Sequence, residues 1–354
     1  MWHAIGLMSG TSLDGIDVAT IETDGRDRVI PGPAMTFPYA REFRERLRSV
    51  LGGIGQVGEV EQELTHLHAD AVEQIRREHL IRPVDVVGFH GHTILHRPAE
   101  RRTWQIGDGA LLASRLGLDV VADFRSADVT AGGEGAPLAP LFHAALAANL
   151  PKPLVVLNIG GVANVTWIGE KAEILAFDTG PGNALVDDWV RRHIGAAADF
   201  DGALARAGQV STRHVDRFLA ASYFDRPTPK SLDRDDFHDA VPTELSLEDG
   251  AATLTEMTAA AVGAATRHFP GPAGQWLVTG GGRQNPALME AIARRVRAPV
   301  RAVEEVGWDG DSLEAQAFAY LAVRSVLGLP LSLPTTTGVP EPTCGGRLFR
   351  ACLP

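Results

Sequence analysis

Short apolar runs alternate with longer segments of helical periodicity along the chain, and this alternation predicts an α/β fold. An apolar run over 3–8 predicts a buried strand, and a run over 16–21 predicts its return partner after a polar turn. Segments 41–51 and 57–79 combine helical periodicity with many charged positions, which predicts two helices. Further short strands are predicted at 84–89, 118–124, 154–158, 162–168 and 276–279.

The second half of the chain repeats the pattern that opens the first half. An apolar run over 154–158 leads through the turn Gly160-Gly161 into a return run over 162–168. This echo of the opening strand, turn and strand predicts two related domains that face one another across a cleft. A length of 354 residues also favours two domains, because single cores stop growing below that size.

We place the domain junction near a glycine-rich loop at 130–137. Glycine in this number is typical of a flexible connection. The expected domain I therefore comprises residues 1–128 with about 331–354, and the expected domain II comprises residues 129–330.

The turn between the first two predicted strands contains more hydroxyl groups and glycines than a hairpin needs. It consists of Ser9, Gly10, Thr11, Ser12, Leu13, Asp14, Gly15, Ile16 and Asp17. Successive turn amides form an anion-binding nest, and glycine lets a ligand approach the backbone closely. Asp14 or Asp17 could hold a divalent cation through water. The turn therefore predicts a phosphate site, and an ordinary hairpin turn that binds nothing is the alternative.

Three more glycine-rich turns follow along the chain, at Gly160–Gly161, Asp178–Asn183 and Gly280–Pro286. The triple glycine Gly280-Gly281-Gly282 leads from a strand into a helix, which leaves room for an adenosine beside bare backbone and a helix N-terminus. One such turn is weak evidence, whereas four in one α/β chain predict nucleotide binding.

Composition excludes several classes of partner. A net charge of −11 and a pI near 5.5 disfavour nucleic acids and anionic membranes. No apolar stretch is long enough to span a bilayer, and no signal peptide precedes the first strand, so a cytoplasmic location is expected. The two cysteines, Cys344 and Cys352, form neither a disulfide framework nor a metal pattern.

Motifs along nearly the whole chain, from Gly6 to about Ala322, resemble those of the anhydro-N-acetylmuramic acid kinases. The signature is Gly6-Leu7-Met8-Ser9-Gly10-Thr11-Ser12-Leu13-Asp14-Gly15, and the others are His90-Gly91-His92-Thr93, Val120-Val121-Ala122-Asp123-Phe124-Arg125, Ala131-Gly132-Gly133-Glu134-Gly135-Ala136-Pro137-Leu138, Leu157-Asn158-Ile159-Gly160-Gly161, Phe177-Asp178-Thr179-Gly180-Pro181-Gly182-Asn183, Pro229-Lys230-Ser231, Gly280-Gly281-Gly282 and Glu314-Ala315-Gln316-Ala317-Phe318-Ala319. His92 is a departure, since the family more often has glutamine there.

The resemblance implies an actin-like fold, shared with sugar kinases and Hsp70, in which two domains close over ATP and Mg²⁺. It implies an ATP-dependent sugar kinase that hydrolyses the ring of 1,6-anhydro-N-acetylmuramic acid and phosphorylates O6. The products are N-acetylmuramic acid 6-phosphate and ADP, in the recycling of cell-wall murein. The alternative is an actin-like phosphotransferase or ATPase with a different substrate or partner. The sequence leaves the oligomeric state open, and a homodimer is one expectation.

Such a reaction needs a carboxylate to activate water, and the family motif places this base at Asp187. The alternative is an ordinary acid in the first turn of a helix. Asp188 points about 100° further round the helix and is expected to be a surface or structural carboxylate.

The resemblance also assigns the binding residues. Glu314 matches the sugar-site glutamate, and Arg125 is a candidate for the lactyl carboxylate because a guanidinium group suits bidentate binding. A surface arginine at a strand end is the alternative for Arg125. The other predicted sugar contacts are His90, Thr93, Gly182 and Asn183. The triphosphate is assigned to residues 9–17 with Gly160 and Gly161, and adenosine to Gly280, Gly281 and Gly282.

His90, His92 and His96 also permit a different prediction, a zinc or dinuclear metal site in a barrel hydrolase. That fold needs about eight βα units, and acidic or histidine ligands on later strands are not evident. The metal hydrolase is therefore disfavoured.

Overall fold

A computed structural model of the chain describes residues 1–10, 12–81, 83–234 and 236–351. Up to residue 150 the elements are β1 (Trp2–Ser9), β2 (Gly15–Thr23), β3 (Val29–Pro38), α1 (Arg41–Ser49), α2 (Val57–Glu78), β4 (Val86–Arg97), β5 (Arg102–Ile106), α3 (Gly109–Leu116), β6 (Val120–Ala122), α4 (Ser126–Ala131) and α5 (Pro140–Leu146). The two opening strands and the two first helices were predicted at these places.

The remaining elements follow from residue 154 onward. They are β7 (Leu154–Ile159), β8 (Val162–Ile168), β9 (Ile174–Pro181), α6 (Ala184–Ile194), α7 (Ala203–Ala207), α8 (Thr212–Leu219), α9 (Leu247–Ala265), β10 (Gln275–Thr279), α10 (Pro286–Val296), β11 (Val300–Ala302), α11 (Leu313–Val326), α12 (Pro334–Thr337) and β12 (Arg347–Phe349). None of the described helices combines the length and the apolar composition that crossing a membrane requires.

The chain packs as two compact units, Met1–Leu150 with Ser312–Pro354, and Pro151–Asp311. The first unit thus contains residues 129–150 and α11, which were expected in domain II. Residues 129–150 belong there because the Asp128 carboxylate accepts both the Gly135 N–H and the Thr337 hydroxyl, each at 2.6 Å. The glycine-rich loop is therefore tied to α12, and the flexible domain junction expected there is replaced by a hydrogen-bonded loop within one unit.

Helix α11 belongs to the first unit because it packs directly on β1. A Cβ atom on Gly6 would collide with the backbone carbonyl of Ala315, so the glycine allows this close approach. Ile5 and Leu7, the neighbours of Gly6 on β1, point instead into a core formed with α1, α2 and α3. Helices therefore cover both faces of the first sheet.

Five strands of the first sheet have the same order and directions as the five strands of the second. In the first sheet the order is β12-β6-β4-β1-β2-β3, with β5 paired to β4, and in the second it is β11-β10-β7-β8-β9. Strands β1, β2 and β3 are antiparallel neighbours, and β4 and β6 run parallel to β1. Strands β7, β8 and β9 with β10 and β11 repeat this arrangement. The predicted actin-like fold of two related domains is confirmed.

The second unit has two clusters of buried apolar side chains. One lies between its sheet and the helices α9 and α10. The other joins α6, α8 and α9 around the aromatic rings of Tyr223, Phe224 and Phe237. Trp189 on α6 is buried in this second cluster, and its indole N–H donates to the Leu247 carbonyl at 2.9 Å. The first two turns of α6 are therefore held by packing.

Candidate active site

The β1–β2 turn begins with a buried serine. The Ser9 hydroxyl accepts a hydrogen bond from the Tyr39 hydroxyl at 2.8 Å and lies 3.0 Å from Nδ1 of His92. Burial lowers the pKa of His92 to about 4, so this imidazole is neutral at pH 7. The Ser9 side chain therefore anchors the turn, and a ligand would meet Ser9 through its backbone.

The remaining turn residues divide into core and exposed positions. Leu13 and Ile16 are buried, whereas Ser12 and Asp14 are exposed. Gly15 was predicted to admit a ligand, but a Cβ atom there would collide with the Phe37 carbonyl, so this glycine serves the packing of β2 on β3. Thr11 lies outside the described residues.

The two carboxylates of the turn have different surroundings. The Asp17 carboxylate accepts the Thr36 hydroxyl at 2.6 Å on the neighbouring strand. Asp14 is exposed, with the Arg44 guanidinium at 3.5 Å. Above Gly10, a Cβ atom would meet no atom closer than 3.7 Å, so the backbone at this point of the turn is open.

In the first unit, His90 on β4 and Arg125 after β6 form one hydrogen-bonded group. His90 Nδ1 donates to the Gly91 carbonyl at 3.0 Å, and Nε2 accepts from Arg125 Nε at 3.2 Å and Nη2 at 3.0 Å. Arg125 Nη1 donates to the Gly135 carbonyl at 2.7 Å. Burial first, and then the Arg125 charge, lower the pKa of His90 well below 6.5. His90 is therefore a neutral acceptor that orients Arg125.

Helix α11 brings Glu314 toward this group. The Phe318 ring lies 4.4 Å from the His90 ring, and the Arg125 guanidinium lies 5.9 Å from the Phe318 ring centre. Glu314 precedes Phe318 by one helical turn on the same face of α11, and it is exposed. The Thr93 hydroxyl accepts a hydrogen bond from the Gln105 side chain on β5 at 3.2 Å, so its described contact is with β5 and not with Arg125 or His90.

In the second unit, the Gly160-Gly161 turn meets the beginning of α6. The Gly161 carbonyl accepts the Gly182 N–H at 2.9 Å, and the Gly160 carbonyl accepts the Asn183 N–H at 2.8 Å. A Cβ atom on Gly182 would collide with the Gly160 carbonyl. These two amides are therefore engaged with the turn, which determines where α6 begins.

The triple glycine after β10 lies beside the same turn. Gly280 has a positive φ of 75°, and a Cβ atom there would collide with the Asn158 side chain at the end of β7. A Cβ atom on Gly281 would lie 3.7 Å from Nδ2 of Asn183. The structure thus brings together the three glycine turns of the second unit at the carboxyl ends of β7 and β10, where ligands of open α/β sheets bind.

Two residues at this edge were not predicted as site residues. Asn158 ends the apolar run of β7 with an amide, which was the available signal in the sequence. The Arg283 side chain is only 6% exposed, donates to the Gly280 carbonyl at 3.1 Å, and pairs with Glu304 and Asp311 at 2.7 and 2.8 Å. Arg283 therefore holds the first glycine of the turn, and no local pattern indicated its two acidic partners.

Asp187 lies in the first turn of α6 and is half-buried. Its backbone N–H donates to the Asn183 carbonyl at 2.9 Å, which ties it to the glycine edge. Burial raises the pKa of Asp187 from 3.8 to about 6; Asp188 and Asp199 also raise it, whereas Arg191 and Arg234 lower it. A carboxylate with a pKa near 6 is suited to accept a proton at neutral pH.

Lys230 is a buried lysine with a structural environment. Its ammonium group donates to the carbonyls of Tyr223 and Phe224 at 2.8 and 3.2 Å, and its own carbonyl accepts the Asp178 N–H at 2.9 Å. Burial lowers the pKa of Lys230 to about 8. Lys230 therefore fastens the segment before it to β9.

The histidines of the alternative metal prediction have separate partners. His90 contacts Arg125, His92 contacts Ser9, and His96 contacts the Thr103 hydroxyl and the Glu134 carbonyl, each at 3.0 Å. Within the described ranges, no three or more His, Cys, Asp or Glu side chains are grouped to hold a metal ion. These histidines do not form the donor set that a zinc hydrolase needs.

One protein family matches nearly the whole chain. The profile of the family described as anhydro-N-acetylmuramic acid kinase matches residues 2–351. A protein of that name from Paramagnetospirillum magneticum is 60% identical over 350 residues, which cover 97% of this chain and 98% of the relative. Another from Acidiphilium cryptum is 57% identical over 358 residues, covering 98% of each. Among solved structures, a ligand-bound xylulose kinase from Lactobacillus acidophilus is similar with a TM-score of 0.48 and 10% identity, covering 99% of this chain and 94% of that one.

Proposed function

The chain belongs to the anhydro-N-acetylmuramic acid kinase family, and on that premise we propose that it uses ATP to convert 1,6-anhydro-N-acetylmuramic acid into N-acetylmuramic acid 6-phosphate. The reaction adds water at C1, opens the anhydro ring and phosphorylates O6. The observation that carries this proposal is the half-buried Asp187, whose pKa is raised to about 6 at the start of α6.

Asp187 is the proposed general base. It takes one proton from a water molecule, whose oxygen then forms a bond to C1 while the bond between C1 and O6 breaks. The electron pair of that bond stays on O6, which attacks the γ-phosphorus, and ADP leaves. General-base catalysis of this kind contributes a factor of about 10² to 10⁴. The raised pKa makes Asp187 a stronger base than an exposed aspartate while it remains largely ionised at pH 7.5.

Backbone amides and hydroxyl groups of the β1–β2 turn are proposed to bind the phosphates of ATP. The open backbone at Gly10 and the exposed Ser12 support this assignment. Mg²⁺ prefers oxygen ligands and keeps several waters, and the exposed Asp14 carboxylate fits such water-mediated binding better than Asp17, which already accepts the Thr36 hydroxyl. Bound Mg²⁺ would neutralise charge on the transferred phosphoryl group.

The glycine edge of the second unit is the proposed site for the rest of the nucleotide. Gly160 and Gly161 are assigned to phosphates, and Gly280, Gly281 and Gly282 to adenosine. The absence of side chains at the triple glycine supports a flat ligand against the backbone. Asn158, beside Gly280, is a further candidate contact at this edge.

Sugar binding in the first unit is assigned to Arg125, His90 and Glu314. The guanidinium of Arg125 suits the lactyl carboxylate, and its hydrogen bonds to His90 and Gly135 orient it. The Glu314 carboxylate can accept hydrogen bonds from hydroxyl groups of the sugar. Thr93, Gly182 and Asn183 remain predicted contacts. The Gly182 N–H donates to the Gly161 carbonyl and the Gly182 carbonyl accepts the Thr258 hydroxyl, each at 2.9 Å, which limits the part of Gly182 to packing.

Dependence of ATP consumption on the sugar tests the proposed function. Purified protein is incubated with ATP and Mg²⁺, with and without 1,6-anhydro-N-acetylmuramic acid, and ADP and sugar phosphate are measured. We expect one ADP for each N-acetylmuramic acid 6-phosphate and no turnover without sugar. Equal ATP turnover without the sugar would support an ATPase acting on another partner. Murein recycling, a cytoplasmic location and a homodimer are consistent with this proposal, and sedimentation analysis tests the dimer.

A further inference from the structure

Asp188, the neighbour of Asp187 on α6, binds two arginines. Its Oδ1 accepts from Arg191 Nη1 at 3.0 Å, and both of its carboxylate oxygens lie 3.0 Å from Arg234 Nη2. Arg191 belongs to the same helix, whereas Arg234 comes from the segment after Lys230. The Asp188 side chain is 29% exposed, whereas the Arg191 and Arg234 side chains are 59% and 46% exposed, so water reaches both ion pairs from the arginine side.

The partner of Arg191 is unexpected from helix spacing. Asp187 precedes Arg191 by four residues, and an acid four positions before a base is a favourable ion-pair spacing on a helix. Arg191 instead contacts Asp188, three positions before it. Among the residues that the structure describes, no hydrogen-bond donor contacts the Asp187 carboxylate. Asp188 is therefore paired with two cations, whereas the described donors leave the carboxylate of Asp187 uncontacted.

The charged groups that act on Asp187 come from three places. Arg191 and Asp188 lie on α6, Arg234 lies on the segment after Lys230, and Asp199 follows α6. The Asp199 carboxylate accepts the N–H groups of Leu204 and Ala205 at 2.8 and 2.9 Å, so it is occupied at the start of α7. Of these acids, Asp188 is thus the one that contacts both arginines that act on Asp187.

We propose that Asp188 is a positioning residue, which binds Arg191 and Arg234 through its own carboxylate and so prevents either cation from pairing with the base Asp187. This inference rests on the proposed function, in which Asp187 activates water. An arginine paired with Asp187 would stabilise the carboxylate, make it a weaker base and occupy the oxygens that must contact water. Asp188 pairs with the arginines itself and so leaves the Asp187 carboxylate available to water.

Loss of Asp188 should lower the pKa of Asp187 in two ways. The negative charge beside Asp187 disappears, and both arginines lose the Asp188 carboxylate as a partner, which allows them to turn toward Asp187. Both changes favour the ionised form of Asp187 and lower its pKa. Loss of either arginine has the opposite effect, because a positive charge near Asp187 is removed.

The test uses the pH dependence of kcat/KM in the full-length protein, together with ¹³C NMR titration of the aspartate carboxyl groups, in which the Asp187 signal is identified by its loss in Asp187→Asn. We expect Asp188→Asn to shift the acid limb and the Asp187 titration downward by about 0.5 to 1 pH unit and to lower kcat at pH 7.5 about threefold. Arg234→Gln and Arg191→Gln should shift both upward. Asp188→Glu, which can still reach both arginines, should restore the wild-type profile.

Two exposed residues provide matched controls. Arg192→Gln removes a positive charge from the same helix, and Asp216→Asn removes a negative charge from α8; neither should move the profile. An unchanged Asp187 titration in Asp188→Asn would overturn the inference. Failure of the proposed function gives a different result: Asp187→Asn would retain turnover, or the sugar would not stimulate ATP consumption.

Discussion

The Nε2 atom of His90 accepts hydrogen bonds from both Nε and Nη2 of Arg125, at 3.2 and 3.0 Å. Nδ1 of the same ring donates to the Gly91 carbonyl, so the proton of the neutral imidazole lies on Nδ1. A protonated imidazole would have no acceptor for Arg125. The orientation of Arg125, and with it the proposed binding of the sugar carboxylate, therefore depends on a neutral His90.

Replacement of His90 should weaken sugar binding with little effect on ATP. In His90→Leu, Arg125 loses the acceptor that orients it, and a hydrogen bond to a charged group contributes about 1.5 kcal/mol, which is about tenfold in binding. We expect KM for the sugar to rise about tenfold while KM for ATP changes little. His90→Gln, whose amide can accept from Arg125 and donate to Gly91, should recover part of the loss.

Steady-state kinetics with each substrate varied in turn measures this effect. His79→Leu, at an exposed histidine of the same unit, is the matched control and should behave as wild type. An unchanged KM for the sugar in His90→Leu would contradict the proposed role of the pair.

Asp187→Asn should lower turnover by about 10² to 10⁴ while ATP binding, followed by calorimetry, is retained. In the wild type, kcat/KM should fall on acidification through the Asp187 pKa of about 6, because the protonated acid cannot accept a proton from water. A variant with near-normal turnover would remove Asp187 from the proposed role.

The same substitution should affect stability in the opposite direction. The pKa of Asp187 is about 6 in the folded chain and 3.8 as its ordinary value, so ionisation costs folding free energy. This cost is absent below pH 3.8 and complete above about pH 6. Thermal unfolding should therefore show Asp187→Asn to be more stable than wild type at pH 8, with a smaller difference at pH 5. An equal difference at both pH values would contradict the raised pKa.

Gly182→Ala should disturb the beginning of α6. The added methyl group would collide with the Gly160 carbonyl, and overpacking of this kind costs about 1 to 3 kcal/mol. Since the same contacts position Asp187, we expect kcat to fall together with the denaturation midpoint. Gly271→Ala, where a Cβ atom meets nothing within 4 Å, is the control in the same unit. Wild-type stability in Gly182→Ala would show that the turn adapts.

Acid should destabilise the protein through its buried histidines. His68 and His92 are fully buried, and burial lowers the pKa of each from 6.5 to about 4. Their contribution to stability is complete above pH 6.5 and is lost as the pH falls toward 4, because only the unfolded chain takes up their protons. Each contributes a slope of about 1.4 kcal/mol per pH unit in this range.

Urea unfolding between pH 7 and pH 5 measures this slope. His92→Gln, which retains an amide to contact Ser9, should reduce the slope by the share of one histidine. An unchanged slope in this variant would show that His92 is not the titrating group.

Much of the fold could be predicted because strands, turns and helices depend on neighbouring residues. The apolar runs at 3–8 and 154–158 identified β1 and β7, and their shared hairpin pattern indicated the duplication that the two sheets display. The domain boundaries could not be obtained in this way. They depend on contacts between distant segments, such as Gly6 with Ala315 and Asp128 with Thr337.

By itself, the sequence determined the family, the order of the elements and the positions of Asp187, Arg125 and the glycine turns, since these are properties of local pattern and motif. Only the tertiary structure decided the packing, burial and pKa of those residues. Gly15 serves strand packing and not a ligand because Phe37 lies against it. Asp187 acquires its raised pKa because burial removes it from water and because the Asp188 and Asp199 carboxylates add negative charge near it. The burial of a side chain and the charges near it depend on every segment that packs around it, and a local sequence pattern does not determine them.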